Sequence, residues 1–290
     1  MPAPIDIVIP AYRGLEETRR CVESVLRARV RRPTALTVID DASPEPELSQ
    51  WLRDAAIKHR FRLVAHGINL GFVAGANEGM TLHADRNVVL LNSDTEVSHG
   101  WLDRIAAHAE RDPRIGTVTP FSNNATICSY PRTLESNPLP PRETTASLDR
   151  AFARANAGRC ADIPTAVGFC MYIPRRVIEA VGTFDEERYG KGYGEEVDFC
   201  MRVARAGFRN VVAADVFVRH VGEVSFGGTV RTERVARAQA SVDSLYPEFQ
   251  QKLAEFIPFD PLRPLRERVD RERQRPLRRL GRWLVSFAGR

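Results

Sequence analysis

The sequence predicts an α/β protein built on a doubly wound, mostly parallel sheet with helices on both faces. Three observations carry that expectation. Short apolar runs and amphipathic stretches alternate four times within the first 120 residues. Each run stops abruptly in polar or acidic residues, as a buried strand does where it leaves a sheet. The composition, 43% hydrophobic and 27% charged over 290 residues, suits a globular chain that buries a core without disulfide staples.

The first run, Ile5 to Ile9, is stopped by Pro10 and followed by Ala11-Tyr12-Arg13-Gly14. A helix is expected from about Leu15 to Arg29, because Leu15, Val22, Val25 and Leu26 share one face. A second strand, Ala35 to Ile39, ends in Asp40-Asp41-Ala42-Ser43. Ser43 with Pro44 makes a helix start, and Leu48, Trp51, Leu52 and Ala55 of that helix turn inward. A third strand, Phe61 to Ala65, precedes Asn69 to Gly79, a glycine-rich loop that runs into a helix. The fourth, Val88 to Leu91, ends in Asn92-Ser93-Asp94-Thr95-Glu96. A helix near Trp101 to Glu110 and a strand at Ile115 to Thr119 complete a first half of about residues 1–119.

The pattern then breaks. Residues 120–162 are rich in Asn, Ser, Thr and Pro and read as a long excursion over the site, with one helix near Ser147 to Ala157. Asn124-Ala125-Thr126 matches a glycosylation sequon, which a cytosolic protein does not use. Regular structure resumes at Ala166 to Ile173, and Pro174 opens a short helix that Gly182 closes. A loop rich in tyrosine and glycine, Tyr189 to Gly194, leads into a helix whose Val197, Cys200, Met201 and Ala204 share a face and which Gly207 caps. Two strands are expected near 210–213 and 216–221, then a helix from about Val230 to Leu245. This second half spans about 163–257. An Arg-rich amphipathic tail, 258–290, follows the single large domain of 1–257.

Charge and cysteine usage narrow the function classes. The formal charge is +5, but residues 263–290 hold ten Arg against three acids, which leaves the body at −2. Nucleic-acid binding is therefore unlikely for the body and would act through the tail, with strong salt dependence. The five cysteines are widely spaced with no C-x-x-C, which suits free thiols in a reducing cytosol. No signal-peptide pattern and no membrane-length apolar run occurs, so a cytoplasmic protein is expected, peripheral at the inner face of the membrane if the tail binds lipid. Neither G-x-G-x-x-G nor a P-loop is found, which counts against a dehydrogenase and a nucleotide triphosphatase.

The polar strand ends are the candidate site. A carboxylate just past a buried strand, such as Asp94, points into the crevice above the sheet, where it can hold a divalent cation against phosphate oxygens. Asn92 to Glu96 can equally be a turn that caps the next helix. Asp40 and Asp41 can accept bonds from a base or ribose, or cap a helix. Glu195, Glu196 and Asp198 crowd one helix turn. Their mutual repulsion raises a pKa and the helix N-terminus lowers it, a balance that suits a general base near neutrality. Lone acids there would be ordinary dipole compensation. His220 is at no zinc spacing and gains a functional reading only if the fold brings it to Asp94.

Several of these stretches, in order and in register, resemble family 2 glycosyltransferases. They are Val8-Ile9-Pro10-Ala11-Tyr12, Val38-Ile39-Asp40-Asp41-Ala42-Ser43, Asn69-Leu70-Gly71-Phe72 with Asn77-Glu78-Gly79, Leu91-Asn92-Ser93-Asp94, and Gly194-Glu195-Glu196-Val197-Asp198 with Arg202 and Gly207. The resemblance covers roughly residues 5–228. It implies a GT-A fold, a nucleotide-sugar donor (a UDP- or dTDP-sugar), a divalent cation (Mn2+ or Mg2+) and inversion at the anomeric carbon. By the same resemblance Pro10, Ala11 and Tyr12 line the nucleotide site and Asp40 or Asp41 holds the base. Asn69 and Gly71 belong to the donor-side loop, and Asn92-Ser93-Asp94 stands at the D-x-D position. Asp94 matches the metal-binding member. Asn92 replaces the first Asp and leaves one fewer charge for the cation. Glu196 stands at the base, where the family has Asp, beside Glu195 and Asp198, and His220 matches a histidine of the metal site. The acceptor is expected to be a glycan, a polysaccharide or a lipid-linked sugar. A sugar-nucleotide-binding relative without turnover is the rival within the family.

The tail has two readings. Leu280, Trp283, Leu284, Val285 and Phe287 interleave with Arg275, Arg278, Arg279 and Arg282, as in a basic helix lying on an anionic membrane surface. The other reading is a solvated helix packed on the body or on a second subunit. Proline at 261, 264 and 276 restricts helices there to short pieces.

Overall fold

A computed structural model of the chain describes residues 3–222 and 228–274. The first half runs β1 (Ile5–Ala11), α1 (Leu15–Arg27), β2 (Thr34–Asp40), α2 (Pro46–His59), β3 (Arg62–Ala65), α3 (Phe72–Thr81), β4 (Asn87–Leu91), β5 (Thr95–Glu96), α4 (Trp101–Arg111) and β6 (Ile115–Phe121). The excursion holds a 3-10 turn (Thr126–Cys128), α5 (Thr145–Ala155) and β7 (Cys160–Asp162). Then come β8 (Cys170–Ile173), α6 (Arg175–Val181), α7 (Glu186–Tyr189), α8 (Glu195–Arg205), β9 (Arg209–Phe217), β10 (Arg219–His220), α9 (Gly228–Leu245) and α10 (Pro247–Phe259). A last helix, α11, covers 263–274.

Eight strands form one sheet in the order β3-β2-β1-β4-β8-β6-β9-β7, and β10 pairs with β5 in a separate two-stranded ribbon. β1, β2, β3 and β4 are mutually parallel, as are β6 and β9. β8 enters between β4 and β6 antiparallel to both, and β7 is an antiparallel edge. Helices lie on both faces, so the α/β expectation holds.

Alternation along the central strands sends side chains to two cores. Ile5, Ile7 and Ile9 of β1 with Val89 and Leu91 of β4 join Cys21 and Val22 of α1 and Trp101 and Ile105 of α4. Val8, Val88 and Leu90 face the opposite side, against Val73, Ala76 and Met80 of α3 and Phe199, Met201 and Val203 of α8. Strands buried on both faces read as continuous apolar runs, which is why they were visible in the sequence. Helix α3 lies so close to β1 that a Cβ on Gly79 would sit 2.2 Å from Cγ1 of Val8.

Three differences from expectation have physical causes. The strands expected near 210–213 and 216–221 are one strand, β9, followed by the short β10. Asp215 does not interrupt β9, because its carboxylate accepts from His108 Nε2 and Gly158 N–H, each at 2.8 Å. Burial alone would pull the His108 pKa down, but Asp215 and then Cys160 push it up to about 9. Second, β7 has only three residues, too few to show an alternation.

Third, the start of the Arg-rich tail is packed structure. The boundary expected near 257 falls inside α10, and α11 carries Pro264 in its first turn, where a missing N–H costs nothing. Leu262 and Val269 are fully buried in the first core. Tyr130 Oη donates to Asp270 at 2.6 Å, Arg273 Nε to Glu143 at 3.1 Å, and Asn156 Nδ2 to the Leu265 carbonyl at 3.1 Å. The segment thus lies against the 120–162 excursion. The apolar and basic residues singled out beyond 274 lie outside the described residues. Leu262→Ala should lower stability by about 2–5 kcal/mol through the cavity it leaves. A urea midpoint that falls with an unchanged slope would register it, and no change would detach the segment from the body.

Candidate functional site

The register Ala11↔Asp40↔Ala65 sets the ends of β1, β2 and β3 level at one edge of the sheet. Leu91 ends β4 opposite Cys170, so Gly168 and Phe169, which lead into β8, arrive at that same edge. In open α/β sheets this carboxyl edge is where ligands bind.

Asp94 and His220 meet there through the β5–β10 ribbon, in which Thr95 pairs with His220. Val221 N–H donates to the Asp94 carbonyl at 3.0 Å, and Gly222 N–H donates to Asp94 Oδ2 at 2.7 Å. Asp94 Oδ1 faces His220 Nε2 at 3.3 Å. Burial pushes the Asp94 carboxyl up, but His220 and the Gly222 N–H outweigh it and hold the group below the usual range. Burial likewise opposes charge on His220, and Asp94 outweighs that, so its pKa is raised.

The imidazole is fixed on three sides. His220 Nδ1 lies 2.7 Å from the Asn124 carbonyl, which can only accept, so Nδ1 carries a proton. Asn123 brackets the His220 backbone, accepting its N–H and donating to its carbonyl, each at 2.9 Å. The Phe169 ring stacks on the imidazole at 5.2 Å and 19°. In its neutral form the ring therefore presents the Nε2 lone pair toward Asp94 Oδ1, the tautomer a metal ligand needs. Adjacent ligands of an octahedral Mg2+ or Mn2+ lie about 3 Å apart, so these two donor atoms fit one ion. No group of three or more His, Cys, Asp or Glu side chains forms a cage among the described residues. The remaining positions would fall to water and phosphate oxygens, as Mg2+ sites commonly arrange. Asn92 N–H donates to the Phe169 carbonyl at 2.9 Å, and Ser93 is buried in the turn.

Glu195 and Glu196 open α8 after Gly194, whose φ of 85° lets the chain turn into the helix. Glu195 is 5% exposed, and its Oε2 has no hydrogen-bond partner. Burial, and then the neighbouring Glu196 charge, push its pKa well up. Burial also raises Glu196, against backbone N–H groups that lower it. Glu196 stands next to Gly168, where an added Cβ would lie 3.9 Å from its Cβ and Cγ. The dipeptide Gly168-Phe169 thus lies near Glu196 at its first residue and stacks on His220 at its second.

Other predicted residues are committed to structure. Asp198 Oδ2 accepts from Arg202 Nε at 2.8 Å and Oδ1 from Tyr246 Oη at 2.6 Å, which ties α8 to the junction of α9 and α10. Asp40 accepts from Ser43 N–H at 2.9 Å and Ser49 Oγ at 2.5 Å, so it holds the turn that leads into α2 against the first turn of that helix. Asp41 gathers the 66–71 loop: Asn69 Nδ2 and Gly71 N–H donate to its Oδ2 at 2.7 Å, and Leu70 N–H to its Oδ1 at 2.8 Å. Pro10 and Ala11 end β1 beside it and Tyr12 follows, with the Asp41 N–H on the Ala11 carbonyl at 2.9 Å. Sequence reading missed His66, Asn123 and Phe169. His66 stands just past β3, the same position that drew attention to Asp94.

Comparisons with known proteins agree with this architecture. A family model described as "Glycosyl transferase family 2" matches residues 6–182. An uncharacterized protein, y4gI, of Sinorhizobium fredii is 24% identical over 250 residues, 82% of this chain and 27% of that protein. Pre-mycofactocin glycosyltransferase of Mycobacterium tuberculosis, in two strains, is 29% identical over 210 residues, 71% of this chain and 40% of that protein. The chain therefore spans well under half the length of these curated relatives. The solved structure of GalNAc-T7 with UDP, GalNAc and Mn2+ superposes with a TM-score of 0.62 at 16% identity, over 92% of this chain and 54% of that one. The fold is accordingly GT-A-like. With more than half of its residues matched by the family model, the chain belongs to glycosyl transferase family 2.

Proposed function

We propose that this chain transfers a sugar, with inversion, from a UDP- or dTDP-sugar to a hydroxyl of a glycan, polysaccharide or lipid-linked acceptor, with Mn2+ or Mg2+ bound. The observation that carries the reading is the Gly168-Phe169 dipeptide, whose Phe169 stacks on His220 and whose Gly168 stands next to Glu196, within reach of a Cβ it lacks. A proton acceptor and a diphosphate-binding pair separated by one such bridge can flank a single anomeric carbon.

Asp94 Oδ1 and His220 Nε2 would hold the cation, which when bound supplies positive charge to the departing diphosphate. Glu196 accepts the proton of the acceptor hydroxyl as that oxygen bonds to the anomeric carbon and the bond to the diphosphate breaks. One displacement from the opposite face inverts configuration, with no second carboxylate required across the bond. A raised pKa suits Glu196 to this work near neutrality. Burial, and then the neighbouring Glu196 charge, push the Glu195 carboxyl up, which disfavours a second negative charge beside Glu196. Asn123, Asn124 and Phe169 fix the imidazole.

We also propose a peripheral membrane location at the cytoplasmic face. No described helix is long and apolar enough to cross a membrane. Phe259 is 80% exposed at the end of α10, and Ile257, Arg263 and Arg268 are exposed as well. Exposed apolar and basic side chains in one stretch of chain suit an anionic lipid interface.

Three measurements test these assignments. In a thermal-shift panel of nucleotides with and without Mn2+, UDP or dTDP should stabilise most with the metal, by about 2.7 kcal/mol at a hundred times Kd. No shift with any nucleotide in either condition would overturn the reading. Glu196→Gln should retain donor binding and lose turnover by about 10²–10⁴-fold, and unchanged turnover would remove Glu196 as the base. Phe259→Ser should weaken sedimentation with phosphatidylserine vesicles and leave phosphatidylcholine vesicles unbound, whereas equal binding by wild type and variant would sink the membrane assignment.

A further inference from the structure

We propose that His66 is a positioning residue of the donor-side loop, acting as an imidazolium clamped between Asp41 and Glu78, and that its loss of a proton loosens residues 68–71. The inference rests on the reading of Asn69 and Gly71 as donor-side residues.

His66 lies one residue beyond β3, and its N–H donates to the Asp40 carbonyl at 2.9 Å, which prolongs the β2–β3 ladder. That fixes the ring at the sheet edge. Its Nδ1 is 2.8 Å from Asp41 Oδ1, and its Nε2 is 2.9 Å from Glu78 Oε2. Ionised carboxylates only accept hydrogen bonds, and a neutral imidazole has one N–H and one bare lone pair. Either neutral tautomer therefore turns a lone pair on a carboxylate, and only the cation satisfies both ends. The side chain is 10% exposed, which leaves little room for water to mediate. Asp41 from the end of β2 and Glu78 from α3 are the titratable groups that face the ring. Burial pulls the His66 pKa down, and the two carboxylates outweigh it, so the group is raised from 6.5.

The clamp matters because of what else Asp41 holds. Three donors of the loop, Asn69 Nδ2, Leu70 N–H and Gly71 N–H, converge on the carboxylate that His66 orients and neutralises. Gly71 then passes against the backbone of the second loop: a Cβ there would lie 2.6 Å from Lys191 Cα. The 66–71 loop is thereby wedged between the strand ends and the segment that leads to Glu195. A shift of residues 70–71 reaches both the donor side and the carboxylate side of the site.

The sign follows from the raised pKa. The contribution is complete below the ordinary value of 6.5 and is lost as pH rises through the higher folded value. The effect is at most about tenfold for each pH unit between the two. Glu78→Gln supplies the control. Its amide N–H can donate to the bare Nε2 of a neutral ring whose Nδ1–H stays on Asp41, so the clamp then needs no second proton.

The test is hydrogen–deuterium exchange of the ligand-free full chain between about pH 6 and 9.5, expressed as protection factors, with UDP–Mn2+ and dTDP–Mn2+ affinities measured alongside. The wild type should lose protection at residues 69–71, and nucleotide Kd should rise several-fold, as pH increases. Glu78→Gln should keep both flat relative to the wild type. Flat wild-type protection, or a Glu78→Gln slope equal to the wild type, overturns the proposal. If protection follows the expected pH course and neither nucleotide binds at any pH, the clamp stands and the donor reading fails.

Discussion

Both faces of the eight-stranded sheet are covered, and that burial decides where ionised groups can stand. A charge inside such a sheet must be paired. Asp6 of β1 meets His83 and Arg86, and Asp215 of β9 meets His108. Carboxylates beyond the strand ends are released from this demand. There, loop N–H groups compete with ligands for their oxygens. Asp40, Asp41 and Asp198 are taken by the turn into α2, by loop anchoring and by a helix joint. Asp94 keeps one oxygen turned to His220, and Glu195 keeps one with no partner. Chemistry is left to the groups that structure does not consume.

The long excursion and the returning β9–β10 strand complete that edge. Asn123 and Asn124 hold His220 by backbone and ring, and the ring in turn lies on Phe169. The imidazole is thus oriented before any ligand arrives. Three chain segments far apart in sequence share one histidine.

The strands and most helices were legible because burial on two faces writes uninterrupted apolar runs, and helix faces write a spacing of three and four. Asp94, Glu195 and Glu196 stood out because they follow those runs or open a helix. What did not show was partnership. Asp198 and Glu196 look alike in one dimension, and only the arrival of Tyr246 from 48 positions away separates their places. Asp215 read as a break until His108 satisfied it. The antiparallel entry of β8 has no local signature, since direction in a sheet is set by the chain's route and not by composition. The packing of α11 was hidden by its arginines, because Leu265 and Val269 are too few to announce a core face.

The contacts of that last helix bear on how the molecule is made. Tyr130 and Asp270 are 140 positions apart, and their bond closes over the excursion. During vectorial synthesis the excursion leaves the ribosome long before its cover does. Until Arg273 emerges, the Tyr130 ring, packed edge to face on Phe152, lacks the guanidinium that lies over it in the folded chain. The clasp on the excursion is therefore set only after the excursion itself has been made.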